Sequence, residues 1–260
     1  MKAFLALLAF LHSAGVHVER VTVPGPDGDL DAALVLPDVS AKPPSIVALH
    51  GCGGPFPTRD GQWAVTLAKA SHIVLLPDSF GSRDLGSQCG TTQRTVTASG
   101  LRRLDAIDAG KWLAARSGIP AGGIVLMGWS DGASTVLQTA RTADDLPANL
   151  FRRFVAFYPG CRQPAQSASW QPSAPVLILI GESDDWTPAA PCHQLSARHP
   201  KEITLITYPN AYHEFDAPDR RVRVRGNAAT AAGGQAHVGT NEPARKDALA
   251  RVPAWLEQLP

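Results

Sequence analysis

Short apolar runs and longer amphipathic stretches alternate along this chain. Residues 18–23, 30–36, 45–49, 73–76, 124–127, 154–157, 176–180 and 203–208 are rich in Val, Ile, Leu and Phe and are bounded by turn-forming residues, so each reads as a strand. The first two flank Pro24-Gly25-Pro26-Asp27-Gly28-Asp29, which predicts a hairpin. Between the later runs, helical segments are expected over about 62–70, 97–116, 131–141 and 191–199, with a last one over about 243–259. Such alternation predicts an eight-stranded, mostly parallel sheet with helices on both faces and an antiparallel first hairpin. Residues 221–239 carry Arg221, Arg223 and Arg225 and then an Ala/Gly-rich run, and they read as an irregular excursion. With no internal repeat and no interdomain linker, residues 16–260 are expected to form one domain.

The start of the chain has a different pattern. Lys2 precedes the apolar run 3–11, and the small residues Ser13, Ala14 and Gly15 follow. That run is too short to span a bilayer, so no stable membrane insertion is expected. It reads as a secretory signal peptide over residues 1–15, cleaved near Ala14 or Gly15, which would place the protein in the periplasm or outside the cell. An uncleaved apolar start on a cytoplasmic protein is the alternative. Charge adds one exclusion: 24 basic residues balance 23 acidic ones, so there is no basic surface to suggest a nucleic-acid partner.

The chemistry centres on Gly128-Trp129-Ser130-Asp131-Gly132, which lies between a strand and a helix. A G-x-S-x-G turn at that junction lifts its serine off the sheet, and its glycines leave space where a side chain would collide. A serine hydroxyl is a weak nucleophile and needs a histidine base oriented by a carboxylate. The strand 176–180 ends in Gly181-Glu182-Ser183-Asp184-Asp185, making Asp184 the candidate acid, with Glu182 and Asp185 as alternatives in the same loop. The strand 203–208 runs into Pro209-Asn210-Ala211-Tyr212-His213, making His213 the candidate base. The chain order Ser, Asp, His, each after its own strand, is that of an α/β-hydrolase. An oxyanion hole needs two preorganised N–H donors. Asp131, just after the serine, and Cys52, in His50-Gly51-Cys52-Gly53-Gly54 after the third strand, are the candidates.

The chain has four cysteines, an even number consistent with export. Cys52 and Cys89 follow the third and fourth strands, and Cys161 and Cys192 the sixth and seventh. In an α/β-hydrolase sheet the strands of each pair are neighbours, so the candidate bridges are Cys52–Cys89 and Cys161–Cys192. Four free thiols would instead mark a cytoplasmic protein.

The loop 50–54, Pro77-Asp78 with Arg83 beyond it, the serine turn, Gly181-Glu182-Ser183-Asp184 and Tyr208-Pro209-Asn210-Ala211-Tyr212-His213-Glu214-Phe215-Asp216 together resemble dienelactone hydrolase family proteins. The resemblance covers nearly everything after the signal and implies ester or lactone hydrolysis with no metal or organic cofactor. Three features depart from the founding enzymes. Their nucleophile is cysteine, where this chain has Ser130. They restrain the resting thiol with a glutamate, where this chain has His50-Gly51. They hold the substrate carboxylate with two arginines; Arg83 matches the first, but Ala217 stands at the second, four residues beyond the histidine. Dienelactone is therefore not the expected substrate, and Arg83 is either a substrate-binding residue or half of a structural ion pair. The expected activity is a serine hydrolase acting on a small-molecule ester or lactone through an acyl-enzyme. A peptidase and a catalytically silent binding protein on the same fold are the rivals.

Overall fold

In the computed structural model, which describes residues 2–116, 118–119 and 123–258, the central strands are the apolar runs. β1 (His17–Val23), β2 (Leu30–Leu36), β3 (Ser45–Leu49), β4 (Val74–Pro77), β5 (Ile124–Trp129), β6 (Phe151–Phe157), β7 (Val176–Gly181) and β8 (Ile203–Tyr208) form one sheet in the order β1-β2-β4-β3-β5-β6-β7-β8. β3, β5 and β7 are buried at every position. A strand covered on both faces has no polar side, which is why these segments read as unbroken apolar runs. β2 pairs antiparallel with both β1 and β4, and the pairs from β4 to β8 are parallel.

This order decides where the helices go. The chain passes from β3 outward to β4 and then back across β3 to β5, so the two crossovers run in opposite directions. Because parallel crossovers are right-handed, α2 (Pro57–Lys69) and α3 (Leu101–Ala115) fall on opposite faces. α4 (Asp131–Ala140) packs beside α3, and α7 (Glu242–Leu256) packs beside α2. The reversal also opens a crevice at the carboxyl ends of the strands, where doubly wound sheets hold ligands.

Element ends differ from the sequence expectation for identifiable reasons. α2 starts at Pro57, a residue whose fixed φ and missing N–H suit the first helical turn. α3 waits until Leu101 because the Thr97 carbonyl first closes a turn, accepting from Gly100 and Arg102. The Asn241 side chain caps α7 by accepting from the Ala244 amide, and the helix ends at Leu256; residue 259 of the expected segment lies outside the described residues. Two further helices are short or unexpected: α5 (Arg162–Gln166), and α1 (Lys2–Ser13), which is the apolar start of the chain. α1 buries Phe4, Leu7 and Leu11 and packs on α2 and β1, while Leu5 faces outward at 49% exposure. Among the described residues, no helix is long and apolar enough to cross a membrane. α6 (Ala190–Arg198) lies against β8.

The excursion over 221–239 is more ordered than its sequence suggests. It contains an antiparallel ribbon, β9 (Arg223–Arg225) against β10 (Ala236–Val238). Ala228, Ala231, Ala236 and Val238 pack with Cys52, Cys89 and Trp186 in a second small core. The small side chains of its Ala/Gly-rich run let the ribbon approach the Cys52–Cys89 disulfide closely. The other bridge joins Cys161 to Cys192.

The bridges close loops of sequence separation 37 and 31. Replacing Cys161 and Cys192 together by serine should lower unfolding free energy by about 2–4 kcal/mol, the usual worth of a disulfide, as read by urea denaturation. Peptide mapping without reductant should recover the same two pairs. Four alkylatable thiols in protein from its native compartment would contradict them.

Candidate active site

The turn between β5 and α4 holds Ser130 at φ 55°, ψ −116°, a backbone region that non-glycine residues seldom occupy and that costs about 1–3 kcal/mol. Two backbone hydrogen bonds fix it: the Ser130 N–H donates to the Phe157 carbonyl at 2.9 Å, and the Ser134 N–H donates to the Ser130 carbonyl at 2.8 Å. The flanking glycines are demanded by space. A Cβ at Gly128 would lie 2.6 Å from the Gly132 carbonyl carbon, and one at Gly132 would lie 2.3 Å from the Leu49 carbonyl oxygen.

Ser130, Asp184 and His213 meet. His213 Nε2 is 2.8 Å from Ser130 Oγ, and His213 Nδ1 is 2.8 Å from Asp184 Oδ2. Both partners of the imidazole are buried, Asp184 at 4% exposure and Ser130 at 8%. Asp184 Oδ1 accepts from the backbone N–H groups of Trp186 and Thr187 at 2.9 and 2.8 Å. The Thr187 hydroxyl lies 3.1 Å from Asp184 Oδ2 and 3.0 Å from the Tyr158 carbonyl. The rings of Tyr158 and Trp186 pack on the imidazole with centroids 4.5 and 4.8 Å away. This arrangement leaves the ring little freedom except along the Asp–His–Ser line.

The alternative acids are engaged elsewhere. Asp185 accepts from the His237 amide at 2.8 Å and lies 2.7 Å from His237 Nδ1, while Glu182 lies 3.0 Å from His193 Nε2. His237 sits on β10, and the next residue, Val238, bridges to His213; the Gly239 N–H also donates to the His213 carbonyl at 3.0 Å. The ribbon therefore braces the loop that carries the imidazole.

Behind the imidazole lies a buried polar cluster that sequence reasoning missed. Asp216 Oδ2 accepts from the indole N–H groups of Trp63 and Trp129 at 2.8 and 2.9 Å, and Oδ1 accepts from the Tyr158 hydroxyl at 2.7 Å. Burial pushes the Asp216 carboxyl above the usual range, against the pull of Arg59 and these three donors. The carboxylate ties α2, the residue before the serine, the end of β6 and the histidine loop into one unit. Asp216 closes the motif that carries the family resemblance, but its partners lie far away in sequence and gave no signal.

Of the expected oxyanion donors, the Asp131 N–H belongs to the first turn of α4, whose amides lack intrahelical acceptors. Cys52 follows Gly51, where an added Cβ would lie 3.6 Å from Ser130 Cβ. Cys52, Ser130 and Trp186 together separate two cavities. One, of about 210 Å³, is bounded by Arg94, Ser134, Pro188 and Pro191; the other, of about 350 Å³, by Phe56, Glu214, Arg220, Arg223 and Arg225.

Of the two roles open to Arg83, substrate binding and a structural ion pair, the contacts present are those of the ion pair. Arg83 Nη1 and Nη2 donate to Asp105 at 2.9 and 2.7 Å, its Nε donates to Asp27 at 2.9 Å, and neither cavity includes it. Two carboxylates use up the fork that a substrate carboxylate would need. Arg83 pins the first hairpin to α3 and is a structural ion-pair residue. Among the described residues no group of acidic, His or Cys side chains is arranged to hold a metal ion.

No curated protein matches the sequence. Among solved structures, a putative dienelactone hydrolase from Klebsiella pneumoniae subsp. pneumoniae MGH 78578 superposes with a TM-score of 0.71 at 17% identity, covering 94% of this chain and 99% of that one. An esterase from Pyrobaculum calidifontis gives 0.65 at 19% identity, over 98% of this chain and 91% of that one. A dienelactone hydrolase from Anabaena variabilis ATCC 29413 gives 0.62 at 21% identity, over 78% and 90%. At such identities the likeness speaks for the shared α/β-hydrolase fold. The model of the dienelactone hydrolase family matches residues 30–259, from the start of β2 through the last helix, and the chain belongs to that family.

Proposed function

We propose that this hydrolase cleaves a carboxylic ester or lactone through an acyl-enzyme on Ser130. The observation that carries the reading is the imidazole of His213, held 2.8 Å from both Ser130 Oγ and an Asp184 carboxylate oxygen. In acylation His213 Nε2 takes the Ser130 proton as Oγ attacks the carbonyl carbon, and the negative charge gathers on the carbonyl oxygen. The Cys52 and Asp131 amides receive that oxyanion. The imidazolium then gives its proton to the departing alkoxide, which in a lactone stays tethered to the acyl group. Water deacylates Ser130 by the same route in reverse. Asp184 keeps the Nδ1 proton in place and stabilises the imidazolium. No step calls on a metal or an organic cofactor, and the two cavities meeting at Ser130 suit a small-molecule substrate.

The two disulfides and the Lys2-led apolar start support export to an oxidising compartment, with residues 16–260 as the catalytic domain. Intact mass of protein recovered from the periplasm should then lack the segment up to about Ala14. A full-length mass there would instead make α1 a permanent part of the fold.

Ser130→Ala should reduce turnover of a short-chain aryl ester by several orders of magnitude, about the loss seen for other triad serines. A sulfonyl fluoride should add one mass increment, located at Ser130. Retention of most activity in folded S130A protein would remove Ser130 from the mechanism. A panel of esters, lactones and peptides run on the wild type identifies the bond type.

Asp184→Asn should cost about 10⁴ in kcat, because an asparagine favours the wrong imidazole tautomer. Asp185→Asn, which touches only His237, should cost less than about tenfold on the same reasoning. The reverse ranking would move the acid to Asp185.

A further inference from the structure

Next to Ser130 stands a charged cluster that the proposed mechanism leaves unused. Arg102, on the first turn of α3, has a side chain with 0% exposure. Its Nη1 donates to Asp131 Oδ2 at 2.5 Å, and its Nη2 donates to the His50 carbonyl at 2.7 Å. The guanidinium plane is backed by Phe80, with its carbon 4.8 Å from the ring centroid. Arg94 donates to the other Asp131 oxygen at 2.8 Å. Asp131 and the loop beginning at His50 are the two segments whose amides form the oxyanion hole in the proposed mechanism, and they belong to different elements.

We infer that Arg102 is a positioning residue that sets the separation of the two oxyanion donors, clamping the His50–Cys52 backbone to the first turn of α4 through the Asp131 carboxylate. The inference rests on the ester-hydrolase reading of the site. Three features carry it. A guanidinium presents parallel N–H groups in a rigid fork, so bridging a carbonyl and a carboxylate fixes their spacing, which a lysine ammonium on a flexible stem does not do. The loop it holds contains Gly51, Gly53 and Gly54 and has little stiffness of its own. A lone carboxylate beside the hole would also oppose a developing oxyanion, and two guanidiniums on Asp131 reverse that local charge. Burial alone would raise the Asp131 carboxyl, but Arg102 and Arg94 outweigh it and hold it below the usual range, so the clamp stays ionised.

The test compares Arg102→Lys with Arg103→Lys. Arg103 is the adjacent buried arginine of α3, but it serves Asp145 and the Gln138 carbonyl instead. For a small aryl acetate, R102K should lower kcat by about ten- to a hundredfold, less than the ~10²–10³ lost when a hole donor is deleted outright. KM should stay within about threefold, because the ground-state carbonyl depends little on the hole. The affinity of a trifluoromethyl ketone, whose hemiketal places an oxyanion in the hole, should fall by the same factor as kcat/KM. R103K should leave both quantities near wild type. Should R102K not fold, Arg94→Gln decides: removing one guanidinium from Asp131 should shift kcat and ketone affinity in the same direction by about threefold, a fraction of a hole donor's worth. A lowered melting temperature in R102K with kcat and ketone affinity unchanged, equal losses in R103K, or an unaffected R94Q would overturn the clamp. Wild-type protein that neither turns over esters nor binds the ketone would instead overturn the ester-hydrolase reading.

Discussion

Everything at the candidate site depends on how closely the first turn of α4 approaches the end of β3. Gly132 lies against the carbonyls of Leu49 and His50, where a Cβ would come within 2.5 Å of either oxygen. That contact brings the turn bearing Ser130 and the glycine-rich loop bearing Cys52 into one space at the carboxyl end of the sheet. It also accounts for the strained backbone of Ser130, which is held by hydrogen bonds to β6 and within α4 rather than by its own preference. The positive-φ serine and the nearby arginine clamp are two consequences of docking a helix on a strand end with no side chain between them.

The histidine loop is held by a different force. Asp216 gathers donors from α2, β5 and the residue just after β6 and lies three residues beyond His213. Each donor would lose about 1–3 kcal/mol if left buried without a partner. Replacing this carboxylate would strand three donors together, so the cluster acts as a cooperative unit. Aromatic packing reinforces it: Trp63, Trp129 and Phe157 form a layer with centroids 5.0–6.5 Å apart around these donors. The His213 imidazole is thus oriented twice, by Asp184 in front and by a rigid aromatic and polar floor behind.

The ribbon of β9 and β10 shows how a weakly patterned segment becomes a wall of the site. Its alanines pack on the Cys52–Cys89 bridge, Trp186 donates to Thr230 at 3.0 Å, and the Arg225 guanidinium lies over the Trp186 ring and donates to Glu214. Arg223 and Arg225 of this segment face the larger of the two cavities at Ser130, opposite the loop over residues 51–57 that forms most of its wall. Arg83, which motif matching selects for the substrate, is instead consumed by Asp27 and Asp105.

Legibility divides along physical lines. Periodicity and length were enough for the eight strands, the alternation of helices and the order of serine, acid and histidine, because burial on both faces forces continuous apolar runs and because strand ends carry loops. Ser130 and His213 were readable from local sequence, since a sharp strand-to-helix turn has a steric signature and the histidine ends a strand. Cysteine pairing followed from the neighbours that the sheet order creates. Asp184 was the candidate acid with Glu182 and Asp185 as alternatives in one loop, and local chemistry alone does not separate them: their partners His213, His193 and His237 come from separate elements. The fates of Arg83 and Arg102 were hidden for the same reason. A sequence records that an arginine is present, but which carboxylate or carbonyl it meets depends on distances between elements, and only the folded chain sets those.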